Sequence, residues 1–202
     1  MSFLLLGFFT GLSLILAIGA QNIFVIEQGL KKQFVFIVCL ICAISDFLLI
    51  FLGIFLFHYF NNFFTPLIEL ILNILLLLFL INFIWTKIKV NKSKIKLDEK
   101  KDKKYLFNTI YKTLGFTYLN PHVYSDTVFF LGNFSKGFVV EQKYLFGIGA
   151  SISSFIFFFV LGYLSKHLSN YLMSKKIWKI INFVIIIFMF FLALYVLTNI
   201  LK

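Results

Sequence analysis

Six long apolar stretches dominate this chain, at about residues 3–26, 34–57, 64–86, 112–132, 145–165 and 177–201. An α-helix rises 1.5 Å per residue, and the hydrocarbon core of a bilayer is roughly 30 Å thick, so about 20 apolar residues suffice to cross it. All six stretches reach that length. The chain is 61% hydrophobic and 13% charged, with a mean hydropathy of +0.97, which is too apolar for a soluble core of 202 residues. The sequence therefore predicts an all-α integral membrane protein, one domain over residues 1–202 with six transmembrane helices. The first stretch could be mistaken for a signal peptide. It has no basic segment before it, it is long, and its lysines, Lys31 and Lys32, follow it, which argues against cleavage.

There is no Arg, so Lys alone supplies the positive charge behind the net +11. All lysines except Lys136, Lys143 and Lys202 lie after the first, third and fifth stretches or, as Lys112, at the start of the fourth. The positive-inside rule then places these basic loops, including the long one at 87–111, in the cytoplasm and both termini outside. The run from Lys87 to Lys104 reads as an orientation signal in a flexible loop, not as a nucleic-acid or anionic-lipid site.

Two carboxylates interrupt the apolar stretches. Asp46 lies in the second, inside CAISDFLLI, and Asp126 lies in the fourth, inside LNPHVYSDTVFFLG. A charged group at bilayer depth costs roughly several kcal/mol unless it is paired, hydrated or neutralised, so each acid is a functional candidate by default. Each half of the chain also contains a helix-breaking motif. In the fourth stretch, Pro121 lacks an N–H and clashes with the preceding turn, and Asn120 is pushed out of helical dihedrals. In the first, AIGAQN at 17–22 follows Gly11 and contains Gly19, which supply flexibility, while Gln21 and Asn22 supply hydrogen-bonding groups. The freed amides and carbonyls must find partners in protein, water or a ligand. An exposed half-helix N-terminus can hold a carboxylate and exposed carbonyls can hold an ammonium, so both ends of a free amino acid could be recognised near these breaks.

With six helices the two halves run antiparallel, and interruptions in helices one and four suggest a 3+3 inverted repeat, with a site between helices one, two and four. His122, one turn before Asp126, is a candidate proton relay, and Tyr124 and Ser45 are candidates for orienting the carboxylates. Ordinary packing is the competing reading for these three. Glu69 and Trp85 and Trp178 read as interfacial. Cys39 and Cys42 form C-x-x-C inside an apolar helix, without the surroundings of a redox motif. Gly147, Gly149, Ala150, Ser151, Ser153 and Ser154 make the fifth stretch small-sided, which suits close helix packing and could also serve a homodimer. There is no P-loop, zinc-protease motif or Cys/His metal set, so neither ATP drive nor a cofactor is expected. Two intramembrane aspartates could also mark an aspartyl enzyme, but nothing beyond their presence supports that.

The stretches GLSLILAIGAQNIFVIEQGLKK, CAISDFLLIFLGIF, LNPHVYSDTVFFLG and KIWKIINFVIIIFMFFLALYVL occur in an order that resembles the lysine/arginine exporter family of bacterial inner membranes (the LysE type), and within it the arginine-exporter branch. In the family pattern a basic or neutral residue is usual where Glu27 stands, and a Leu where Ser125 stands. The resemblance implies a secondary carrier in the cytoplasmic membrane that exports L-arginine or L-lysine, driven by the proton gradient or the membrane potential. Exporters of a neutral amino acid or a metal cation on the same fold are the alternatives. The residues expected to handle substrate and proton are Asp46, Asp126, Asn22, Gln21, Gly19, Asn120, Pro121, His122 and Tyr124. A carboxylate that takes either a proton or a cationic side chain would enforce exchange.

Overall fold

The computed structural model describes residues 2–16, 19–63, 65–90, 103–172 and 175–200. The lysines between 91 and 102, and the side chains of Glu69, Pro121 and Trp178, lie outside the described residues. Every described regular element is helical: α1 (Phe3–Ile15), α2 (Ala20–Lys31), α3 (Val35–Phe63), α4 (Pro66–Val90), α5 (Lys103–Tyr118), α6 (Pro121–Tyr124), α7 (Leu131–Ser135), α8 (Val140–Leu172) and α9 (Lys175–Ile200). A π-helical segment, Ser125–Phe130, joins α6 to α7. Among the described residues α3, α4 and α8 are long and apolar enough to cross a membrane. The pair α1 and α2, bent by 82° at its break, makes a fourth span if taken together. The chain is thus a multi-pass membrane protein.

The first expected stretch is divided. Residues 3–26 fall in two helices, and the second of them runs on to Lys31. It ends with Lys32 in the left-handed region (φ 56°), its N–H donating to the carbonyl of Gly29. Phe34 follows at φ 50°, so the turn into α3 holds two non-glycine residues in a costly conformation. The fourth stretch begins earlier than its hydropathy suggests, because α5 starts at Lys103, inside the expected loop 87–111. Thr109, Thr113 and Thr117, spaced one turn apart, are all buried and turn their hydroxyls back to carbonyls four residues earlier. A polar residue that satisfies itself on its own helix can be buried, and a hydropathy reading misses it.

Helix α8 is the common partner. It packs along α1, α2 and α3, while α3 also packs on α5, the π-helical segment and α7, and α4 pairs with α9. The close approach of α1 and α8 depends on residues without bulk. A Cβ on Gly7 would strike the backbone of Phe146, and one on Gly149 would strike the backbone of Leu4. Gly11, expected to supply flexibility, lies inside regular helix instead, where an added Cβ would stand 2.9 Å from Cα of Ala150 and 2.7 Å from Oγ of Ser153. Without a hydrophobic driving force between helices in lipid, such backbone proximity and the dispersion it allows hold helices together. The small side of α8 is therefore occupied within the chain.

Replacing Gly149 with Leu forces α1 away from α8 and is expected to cost at least about 3 kcal/mol. Thermal unfolding of the detergent-purified protein should show a large downward shift, whereas Gly137→Ala, where a Cβ meets nothing within 4 Å, should leave the transition in place.

Candidate functional site

The site is built from the two breaks, because each leaves backbone groups that its own helix cannot satisfy. At the first, Asn22 Nδ2 donates to the carbonyl of Ile15, 3.1 Å away, so a side chain from the first turn of α2 caps the end of α1. At the second, Asn120 acts as a helix cap: its Oδ1 accepts from the His122 N–H at 3.1 Å, and its carbonyl accepts from the Val123 N–H at 3.1 Å. Tyr124 Oη donates to the carbonyl of Tyr118, 2.9 Å away, satisfying the end of α5. Pro121 opens α6, the position where a missing N–H costs least. Asn22, Asn120 and Tyr124 thus spend hydrogen bonds on shaping the breaks.

The breaks meet. Among the described residues, a Cβ built on Gly19 would come within 4.0 Å of Asn120 Nδ2. Around this point lies a cavity of about 440 Å³ lined by Gly19, Gln21, Asn22, Asp46, Asn120, His122, Asp126, Thr127 and Ser154 among others. Its size falls in the range of roughly 300–1,000 Å³ typical of small-molecule sites. Gly19 caps α2 without a side-chain hydrogen bond, and the start of this twelve-residue helix, Ala20, Gln21 and Asn22, lines the cavity. Gln21 is buried, with no hydrogen-bond partner for Nε2 among the described residues.

The two aspartates occupy different surroundings. Asp46, on the uninterrupted α3, is 4% exposed and accepts a 2.6 Å hydrogen bond from Ser154 Oγ of α8. Ser45, the hydroxyl next to it in sequence, is buried but does not line the cavity. Asp126 is half-buried and sits in the π-helical segment one turn from His122. A π turn shifts the register of side chains and is frequent at functional sites. Here it also accommodates α3, since a Cβ on Gly53 would come within 2.6 Å of Val128 Cα. Thr127 Oγ1 donates to the Val123 carbonyl at 2.6 Å, satisfying a group that the wider turn loosens.

Of the residues expected to form the site, Gly19, Gln21, Asn22, Asp46, Asn120, His122 and Asp126 all line the one cavity. Tyr124 does not line it and instead bonds the Tyr118 carbonyl at the end of α5, and the Pro121 side chain lies outside the described residues. The expected location between helices one, two and four omits a wall, because α8 contributes Ala150 and Ser154. Ser154 stands 108 residues from its partner Asp46, and only its place in a run of small residues singled it out. Cys39 donates its S–H to the carbonyl of Phe158 at 3.2 Å, and both cysteines are buried and free.

Interrupted helices whose breaks and acids line one cavity in a multi-pass protein fit a membrane translocator. The chain belongs to the LysE type translocator family, whose model matches residues 12–200. It is 33% identical over 190 residues to the arginine exporter protein ArgO of Pectobacterium carotovorum subsp. carotovorum (strain PC1), covering 93% of each chain. It is 34% identical over 189 residues to the arginine exporter protein ArgO of Escherichia coli (strain K12), covering 93% of this chain and 90% of the relative. Both relatives are named as transport proteins, and the chain is a translocator and not an enzyme. No solved structure matches it.

If Asn120 holds the second break open as a cap, Asn120→Ala should cost about 1 kcal/mol of stability and Asn120→Ser much less. Unfolding temperatures of the two purified variants, measured side by side, check this.

Proposed function

We propose that this protein exports L-arginine, L-lysine or both from the cytoplasm across the bacterial inner membrane, in exchange for protons handled by Asp46 and Asp126. The observation that carries this reading is the convergence of both acids and both helix breaks on one cavity. The names of its relatives support the substrate class.

A cationic amino acid offers three groups. Its α-carboxylate suits the uncapped N-terminus of α2 at Ala20–Asn22, where amides and the helix dipole favour an anion. Its charged side chain suits Asp46 or Asp126. The α-ammonium suits the acceptors near the breaks. Export of one net positive charge from an inside-negative cell costs about 2.3 kcal/mol per 100 mV, and entry of one proton per substrate cancels that electrical cost. A carboxylate that can hold the proton or the cation, but not both, links the two movements. Ser154 pins Asp46 in place so that either occupant finds the same geometry.

Six spans with both termini outside form the accompanying architecture. Helices α1–α2, α3 and α4 make one half, and α5–α7, α8 and α9 make the other, related as a 3+3 inverted repeat. Three pairings support it: the broken helix of each half packs on the second helix of the other, the second helices pack together, and α4 packs on α9. Substrate would move by rocking the two halves about the cavity.

Cells loaded with arginine- or lysine-containing dipeptides provide the test. Wild-type protein should speed efflux of labelled arginine or lysine, and Asp46→Asn and Asp126→Asn should reduce it by about tenfold or more at equal expression, the loss of one charge-assisted contact. Unchanged efflux in both variants, with unchanged pH dependence, overturns the role of the acids.

A further inference from the structure

A third acid lies outside the cavity. Glu27, on α2, is 1% exposed, and its carboxylate is ion-paired with Lys31 one turn further along the same helix. At 100° per residue, Ala20, Phe24, Glu27 and Lys31 form one stripe of α2. Ala20 lines the cavity. Phe24 lies against Phe116 of α5, with ring centroids 5.1 Å apart, and Phe79 and Phe83 of α4 close on Phe116 at 4.8 and 5.0 Å. Beyond this aromatic layer, Lys112 of α5 lies in electrostatic range of Glu27 and Lys31 and holds its Nζ 5.8 Å from the ring centre of Phe83. The two antiparallel helices thus carry matching levels: Ala20 and Asn120 at the cavity, Phe24 and Phe116 in the layer, and Glu27 and Lys112 below it. From Ala20 to Glu27 is about 10 Å along the helix.

We infer that Glu27 is an entry station for the cationic side chain of the substrate, on the cytoplasmic side of the Phe24–Phe116 layer, and that Lys31 is a tethered cation that holds its place. This rests on the export reading and on the proposed orientation. The two partners of the ion pair differ in burial: the Glu27 side chain is 2% exposed, whereas that of Lys31 is 30% exposed. The lysine can return its ammonium to water, and the carboxylate cannot. Breaking a buried pair by removing one partner is strongly unfavourable because it strands the other charge. An arriving guanidinium or ammonium removes that penalty, since one cation leaves as another enters and the carboxylate stays compensated throughout. Gln28, the next residue on α2, is 5% exposed and holds Oε1 without a hydrogen-bond partner among the described residues. Along α2 the Phe24–Phe116 layer lies between the level of Glu27 and the cavity lined by Asp46 and Asp126. Aromatic faces attract cations, so parting these rings gives a passage with a favourable lining.

Uptake of labelled L-arginine into inside-out membrane vesicles tests this, because the bath then contacts the cytoplasmic face. Glu27→Gln should raise the apparent KM at least about tenfold, the loss of a charge-assisted contact. Lys31→Gln should lower it several-fold, since the internal competitor is gone. A purely structural ion pair moves both variants in the same direction, or neither, and either result overturns the station while leaving arginine transport by the wild type intact. If Glu27→Gln fails to reach the membrane, Lys31→Gln decides: a lowered KM supports the station, and an unchanged or raised one overturns it. Absence of any wild-type uptake overturns the export reading and, with it, the station.

Discussion

A helix that breaks in an apolar environment must find new partners for its unpaired amides and carbonyls, and the rest of this structure follows from how the two breaks meet that demand. Asn22 reaches back over the first break to the Ile15 carbonyl, and Asn120 and Tyr124 close the second. These contacts fix short polar segments where uninterrupted helices would present only side chains. Because Gly19 and Asn120 come together, both breaks border a common space, and the acids of α3 and the π-helical segment are carried to its walls.

The packing that surrounds this space has an opposite character. Gly7, Gly11 and Gly149 bring α1 and α8 to backbone contact, and Gly53 does the same for α3 and the π-helical segment. The cavity lies where α1 and α2, α3, the α6–α7 run and α8 meet. Further along α2 from the cavity wall at Ala20, Phe24 packs with Phe79, Phe83 and Phe116 in one aromatic cluster.

Much of the site was legible because membranes make polar residues conspicuous. Asp46, Asp126, Asn120, His122 and the Gly19–Asn22 segment are visible in the sequence as costly residues in apolar stretches, and they converge. What escaped notice did so for identifiable reasons. Ser154 is an ordinary member of a small-residue run until α8 sets it against Asp46. The π turn at Ser125–Phe130 has no sequence signature beyond the Pro before it. Glu27 stood out in the sequence only as a departure from the family pattern, whereas its side chain is among the most buried of those described. The start of α5 at Lys103 was hidden by a polar run in which Thr109 is buried and satisfies its hydroxyl on its own helix.

The sequence by itself determined that the chain is a helical membrane protein, where its helices break and which acids are too costly to be incidental, since these follow from hydropathy, proline geometry and the expense of charge in lipid. Only the tertiary structure decided which groups meet. The pairing of Asp46 with Ser154, the meeting of the two breaks and the burial of Glu27 each depend on contacts between distant helices. Those contacts are set by shape, through glycines and rings that fit one neighbour and no other, and shape is not written in any single stretch of chain.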